Sequence, residues 1–133
     1  MQKILDSKTS ATLCYCDLDH LKYVNANYGH DKGDAYICHF VEILQSNVRE
    51  DDIIDRFGGD EFCILFKNRS IDSISSKMEH INKEFSKHAI DYPQSFSFGI
   101  VYINGNEETS LLNILQTSDQ RMYAQKRKNK NRV

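Results

Sequence analysis

Two apolar segments bracket a glycine pair in the stretch DRFGGDEFCILF, residues 55–66, and few arrangements satisfy it. The segments before and after the glycines have β-type composition, so the chain should run as a strand, turn, and run back. Gly58 and Gly59 suit a hairpin turn that needs positive φ. Asp60 and Glu61 follow at once, at the mouth of a strand that should be buried. Adjacent carboxylates there are unfavourable unless something offsets their charge, and a bound cation is the obvious candidate.

Other elements follow from periodicity. ATLCYCDLD, residues 11–19, is compact, apolar and closed by acids, which predicts a strand. A helical stretch from His20 must stop near Gly29, and Ile37, Val41, Leu44 and Val48 predict a second helix from Asp34. Ile71, Ile74, Met78, Ile81 and Phe85 form an amphipathic helix with Ser70 as its cap. Phe96, Phe98 and Ile100 alternate along a fourth strand, and a last helix starts near Ser110. The order predicts an α+β domain: a βαββαβ, ferredoxin-like, antiparallel-centred sheet flanked by helices on one or both faces.

At 133 residues the chain is sized for one domain with a real core. Its formal charge of −2, from 17 basic and 19 acidic residues, provides no global field for nucleic acid or anionic lipid. No apolar run approaches a membrane span and Met1 opens no signal-peptide pattern. Cys14, Cys16, Cys38 and Cys63 lie in apolar surroundings without C-x-x-C spacing, which predicts reduced core thiols and a cytoplasmic domain. A basic run, KRKNKNR, holds five cations in seven residues, and residues 127–133 are expected to be a loose, solvated tail.

Two acidic clusters carry the chemistry. Asp17-Leu18-Asp19 ends the first strand, and Asp60-Glu61 follows the turn. If these strands are neighbours, Asp17 and Asp60 converge, and hard oxygen ligands at a strand end suit Mg2+ shared with substrate phosphates. Either pair alone reads better as solvated turn residues; it is their occurrence together with the Asn25–Asp34 stretch that favours a cation site. Asn25 and Asp34 flank Gly29 and Gly33; a carboxylate accepts from both donors of guanine's Watson–Crick edge, and an amide both donates and accepts. His30 also suits a turn beside Gly29, and Lys22 suits a phosphate or plain surface.

Taken together, DLDHLKYVN, GHDKGD, RFGGDEF, SFGI and SDQRMYAQKRKNKN, in this order and spacing, resemble the GGDEF family of diguanylate cyclases. The resemblance covers the chain from about Ala11 onward. It implies a palm-like nucleotidyl-cyclase fold and a single domain over residues 1–133 that condenses two GTP into cyclic di-GMP and pyrophosphate. Carried over, Asp17, Asp60 and Glu61 bind metal through carboxylates and Leu18 through its carbonyl, with Glu61 also a candidate for activating the ribose 3′-hydroxyl. The metal is Mg2+, with Mn2+ as the alternative. Gly58 and Gly59 admit the nucleotide, Asn25 and Asp34 read guanine with His30 nearby, and Lys22, Lys126 and Lys130 neutralise the triphosphate. Asp60, Glu61 and Lys22 form the catalytic group. Asp19 is as well suited to structural hydrogen bonding.

Arg49 and Asp52, with five residues separating Asp52 from Gly58, are similar to the family's R-x-x-D product-inhibition motif, which would hold cyclic di-GMP. Lys77 and His80 stand where relatives commonly add an arginine. MQKILDSKTS lacks the family's D-x-L-T-G-L-x-N-R-type segment, so the domain is expected to be a trimmed part of a longer protein. Ala26 replaces a common acidic residue and Leu21 a common phenylalanine. Catalysis implies a homodimer, and the full-length protein is expected to carry a sensory domain and could be membrane-anchored, with no nucleic-acid or membrane contact by this domain. The alternative is a catalytically weak or inactive GGDEF module acting as a GTP or cyclic di-GMP receptor. A polymerase-like or other nucleotidyl cyclase shares the two-metal logic but not the guanine pair.

Overall fold

A computed structural model describes residues 9–89, 91–105 and 110–130, the side chains of 129 and 130 excepted. The described elements are β1 (Ala11–Leu18), α1 (Leu21–Tyr28), α2 (His30–Asn47), β2 (Ile53–Arg56), β3 (Glu61–Lys67), α3 (Ile71–Lys87), β4 (Phe96–Ile103) and α4 (Leu111–Lys130). The four strands make one antiparallel sheet in the order β2-β3-β1-β4. The expected α+β architecture is present, with β1 central between the hairpin and β4.

Alternation along β1 divides the core into two layers. Cys14, Cys16 and Leu18 face Tyr36, Phe40 and Leu44 of α2 and Ile74, Met78, Ile81 and Phe85 of α3. Leu13 and Tyr15 face Ile114 and Met122 of α4, with Cys63 and Leu65 beside them. Helices therefore cover both sides. The α4 face is the one on which Asp17 and Glu61 emerge, because they share parity with Tyr15 and Cys63 along their strands.

Local chemistry accounts for the element ends. The Ser70 hydroxyl accepts from Ser73 N–H at 3.1 Å and caps α3, as expected. Ser110 does the same for Asn113 N–H at 3.2 Å at the start of α4. Gly29, at φ 90°, separates α1 from α2 in a conformation that a side chain would strain.

Four expectations need correction. The second helix begins at His30, not Asp34, because Gly29 alone suffices to break α1 and restart the chain. Gly58 and Gly59 do not have positive φ; Gly29 is the one such glycine among the described residues. The loop is instead closed by Phe57 N–H to Glu61 C=O at 3.0 Å and held by Arg56, whose Nε and Nη2 donate to the Gly58 and Gly59 carbonyls at 3.0 and 2.7 Å. Cys38 is exposed on α2, whereas Cys14, Cys16 and Cys63 are buried and all four are free thiols. The basic run is not loose from residue 127: α4 continues to Lys130, and residues 131–133 lie outside the described residues.

Candidate active site at the β1 end and the hairpin turn

The site is built by strand register. Asp17 on β1 stands directly opposite Glu61 on β3, and Leu18 N–H donates to the Asp60 carbonyl at 3.1 Å, tying the strand end to the turn. Like charges directly across a ladder repel. Here three carboxylates converge: Asp17, Asp60 and Glu61 each offer an oxygen within 4.8 Å of the others. This is the convergence expected if the two acidic clusters met.

Lys126 of α4 answers part of that charge. Its Nζ lies 3.2 Å from Asp17 Oδ2 and 3.7 Å from Asp19 Oδ1, and donates to the Leu18 carbonyl at 3.1 Å. The other Asp17 oxygen, Oδ1, is buried without a hydrogen-bond partner. Burial, opposed by Lys126 and reinforced by the Asp60 carboxylate, pushes the Asp17 carboxyl up to about 7 from its ordinary 3.8. An orphaned buried oxygen beside two more carboxylates fits a hard divalent cation bound through oxygen. Asp17, Asp60 and Glu61, with the Leu18 carbonyl nearby, are the residues that would hold it.

Asp19 is differently placed. It is 2% exposed, and its two oxygens accept from Ser95 Oγ and Ser97 Oγ, both at 2.7 Å. Tyr36 Oη donates towards the Asp19 and Ser95 carbonyls at 2.8 Å. Asp19 therefore pins the strand end to the segment entering β4. Tyr15, which sequence reasoning passed over, donates from Oη to Glu61 Oε2 at 2.8 Å. Period-two spacing from Asp17 was the signal that could have found it.

A cavity of about 510 Å3 adjoins the acids, lined by Leu18, Asp60, Lys22, Tyr23, Asn27 and Lys126 among others. Asn25 and Asp34 do not line it. Asn25 is half-buried with its amide packed against Gly33, the residue before the exposed Asp34. His30 is exposed at the first position of α2, and Gly58 and Gly59 are exposed on the hairpin loop. A Cβ at Gly59 would meet nothing within 4 Å. The side chain of Lys130 lies outside the described residues.

Arg49 and Asp52 meet at the other end of the hairpin. Arg49 is exposed and its N–H donates to Asp52 Oδ2 at 2.7 Å. Asp52 is not an open carboxylate: its side chain is 1% exposed and Oδ2 pairs with Arg69 Nη2 at 3.0 Å. Asp52 Oδ1 and Arg69 Nε are buried without partners. Lys77 is close enough that burial and then the Arg69 charge lower its pKa.

The Asp17 shift has a measurable consequence. An acid whose folded-state pKa is raised contributes stability that is full below its unfolded value, near 4, and is lost as pH rises through about 7. Without metal, Asp17→Asn should therefore gain in melting temperature relative to the native chain between pH 4 and 8. Mg2+ should raise the native melting temperature at pH 8 far more than at pH 5. Equal Mg2+ responses at the two pH values would count against a carboxylate cation site.

The chain matches the family model described as "Diguanylate cyclase, GGDEF domain" over residues 1–132. It is 33% identical over 124 residues to diguanylate cyclase DgcM of Escherichia coli (strain K12), covering 92% of this chain and 30% of that protein. It is 32% identical over 131 residues to the probable diguanylate cyclase DgcJ of the same strain, covering 98% of this chain and 26% of that protein. The chain thus spans under a third of either relative. Among solved structures, the active GGEEF domain of a Vibrio cholerae diguanylate cyclase superposes with a TM-score of 0.84 at 25% identity, covering 96% of this chain and 83% of that one. The GGDEF domain of DgcB from Caulobacter crescentus, solved with c-di-GMP, has the same fold, with a TM-score of 0.84 at 23% identity over 95% of this chain and 77% of that one. Among the described residues no helix is long and apolar enough to cross a membrane. With its acids gathered where the first strand meets the GGDEF hairpin, this chain belongs to the GGDEF family of diguanylate cyclases.

Proposed function

We propose that this domain condenses two GTP into cyclic di-GMP and two pyrophosphates, the 3′-hydroxyl of each nucleotide attacking the α-phosphate of the other. The observation that carries this reading is the convergence of Asp17, Asp60 and Glu61 within 4.8 Å beside a cavity of nucleotide scale. Bound there, Mg2+ or Mn2+ would neutralise phosphoryl oxygens and polarise the attacking and leaving groups. Lys22 and Lys126, both on the cavity wall, supply cationic charge to the triphosphate, with Lys130 one helical turn beyond Lys126. Tyr15 holds the Glu61 carboxylate in one orientation through its 2.8 Å bond. Asn25 and Asp34 read guanine, with His30 alongside, and the Gly58–Gly59 loop leaves the nucleotide room. Each copy holds one GTP, so the reaction requires two domains face to face, a homodimer that a sensory domain in a longer protein would bring together.

Incubation of the concentrated chain with GTP and Mg2+, followed by chromatographic separation of nucleotides, tests the reading. Cyclic di-GMP and pyrophosphate should accumulate. GTP that binds yet stays intact in a preparation shown to dimerise would overturn catalysis in favour of a receptor module.

We further infer a product site on Arg49 and Asp52. Support comes from the exposed Arg49 beside a carboxylate and a guanidinium that each keep one buried atom unpartnered. The Asp52–Arg69 pair serves as its base, and Arg49 as its reaching cation. Calorimetry should detect cyclic di-GMP binding that Arg49→Ala weakens by about tenfold or more. Binding indifferent to Arg49→Ala would remove the site.

A further inference from the structure

Gly33 lies within α2, near the end of α1. Its φ is not in the left-handed region, so the backbone there does not call for glycine, and helix interiors favour alanine. Space supplies the reason. A Cβ on Gly33 would lie 1.7 Å from Asn25 Oδ1 and 2.8 Å from Asn25 Cγ. The Asn25 amide therefore occupies the volume that any side chain at position 33 would fill. The backbone beneath Asn25 is itself anchored, since its carbonyl accepts Gly29 N–H at 3.1 Å. Asp34 is the next residue after Gly33, so the seat of the amide and the carboxylate are joined by one peptide bond.

We propose that Gly33 is a specificity-determining position, whose missing Cβ seats the Asn25 amide beside Asp34 so that a purine base meets a fixed amide–carboxylate pair. The inference rests on the reading of Asn25 and Asp34 as the guanine-recognising pair. Guanine presents two adjacent donors and adenine does not, so discrimination depends on an acceptor and an amide held at a set separation. The obstructing atoms belong to the tip of a rotatable side chain, not to backbone. An alanine at position 33 is therefore absorbed by turning the amide away, which preserves the fold and disperses the pair. Gly33 is a positioning residue and need not touch the base.

The test is a double-mutant cycle on the α-thio analogues of GTP and ATP, measured by calorimetry with Mg2+. Gly33→Ala should weaken guanine-nucleotide binding by about tenfold or more and narrow the preference over the adenine analogue by the same factor. Asn25→Ala should narrow it similarly. In the Asn25→Ala background, adding Gly33→Ala should change nothing further. A glycine that merely lets two helices pack would behave otherwise: Gly33→Ala would leave the guanine preference untouched, or its effect would add in full to that of Asn25→Ala. Either result overturns the proposal. If Asn25→Ala narrows the preference and Gly33→Ala does not, the seat alone is wrong; if Asn25→Ala leaves it intact, the guanine reading falls and the seat with it. Should Gly33→Ala fold poorly, the double variant restores folding if Asn25 is the obstruction, and failure to restore it refutes the seat.

Discussion

Replacing Asp60 with alanine should lower cyclic di-GMP formation on the order of 10^3-fold while leaving the domain folded. The carboxylate is one of three within 4.8 Å, so its removal takes away one of the oxygen donors that would hold the cation. Divalent cations contribute several kcal/mol of charge stabilisation in phosphoryl transfer, which sets the size of the loss. The fold survives because the contribution of Asp60 to architecture is main-chain: its carbonyl accepts Leu18 N–H at 3.1 Å, and alanine keeps that bond. Without metal the variant should melt no lower than the native chain, since a source of repulsion next to Asp17 has gone. Chromatographic product assays and thermal melts run in parallel measure both parts. Turnover within tenfold of the native chain would mean that the acidic cluster is not where the reaction is driven.

Gly99→Ala should have the largest effect on stability, a loss of about 3 kcal/mol or more. A Cβ at Gly99 would sit 2.1 Å from the Ser118 carbonyl oxygen and 2.4 Å from Met122 N, both backbone atoms of α4. Neither can rotate aside, so the helix must lift from β4. Lifting breaks Phe98 N–H to Gln125 Oε1 at 2.8 Å and the Arg121 bond to the Ile100 carbonyl, and opens the packing around Ile114 and Met122. Lys126 rides on the same helix, so the site is disturbed as well. A melting temperature lower by about 10 °C is expected for a domain of this size. Gly59→Ala provides the contrast, because its Cβ meets nothing within 4 Å and its φ is not left-handed, so its melting temperature should be unchanged. If both glycine variants melt together, close approach of α4 is not what Gly99 provides.

The fold was readable where a short repeat carries the information. Alternation at Phe96, Phe98 and Ile100, helical spacing from Ile74 to Phe85, and the Ser70 cap each describe a few neighbouring residues and appear as expected. Reading failed where a contact replaced a local rule. The glycine pair suggested a positive-φ turn, but Arg56 holds the loop carbonyls and makes that geometry unnecessary. Cys38 was assigned to the core by its apolar neighbours, yet it falls on the outer side of α2.

Composition, period and motif spacing determined by themselves that this chain makes a four-stranded α+β domain with acids at one strand end. Only the tertiary structure decided that Lys126 enters the acidic cluster from 108 residues beyond Leu18, that Arg69 covers Asp52, and that Asn25 rests on Gly33. The physical reason is range. Backbone preference and side-chain parity act over one turn or two residues and leave a pattern in the chain, whereas an ion pair between distant segments exists only once packing has brought them together.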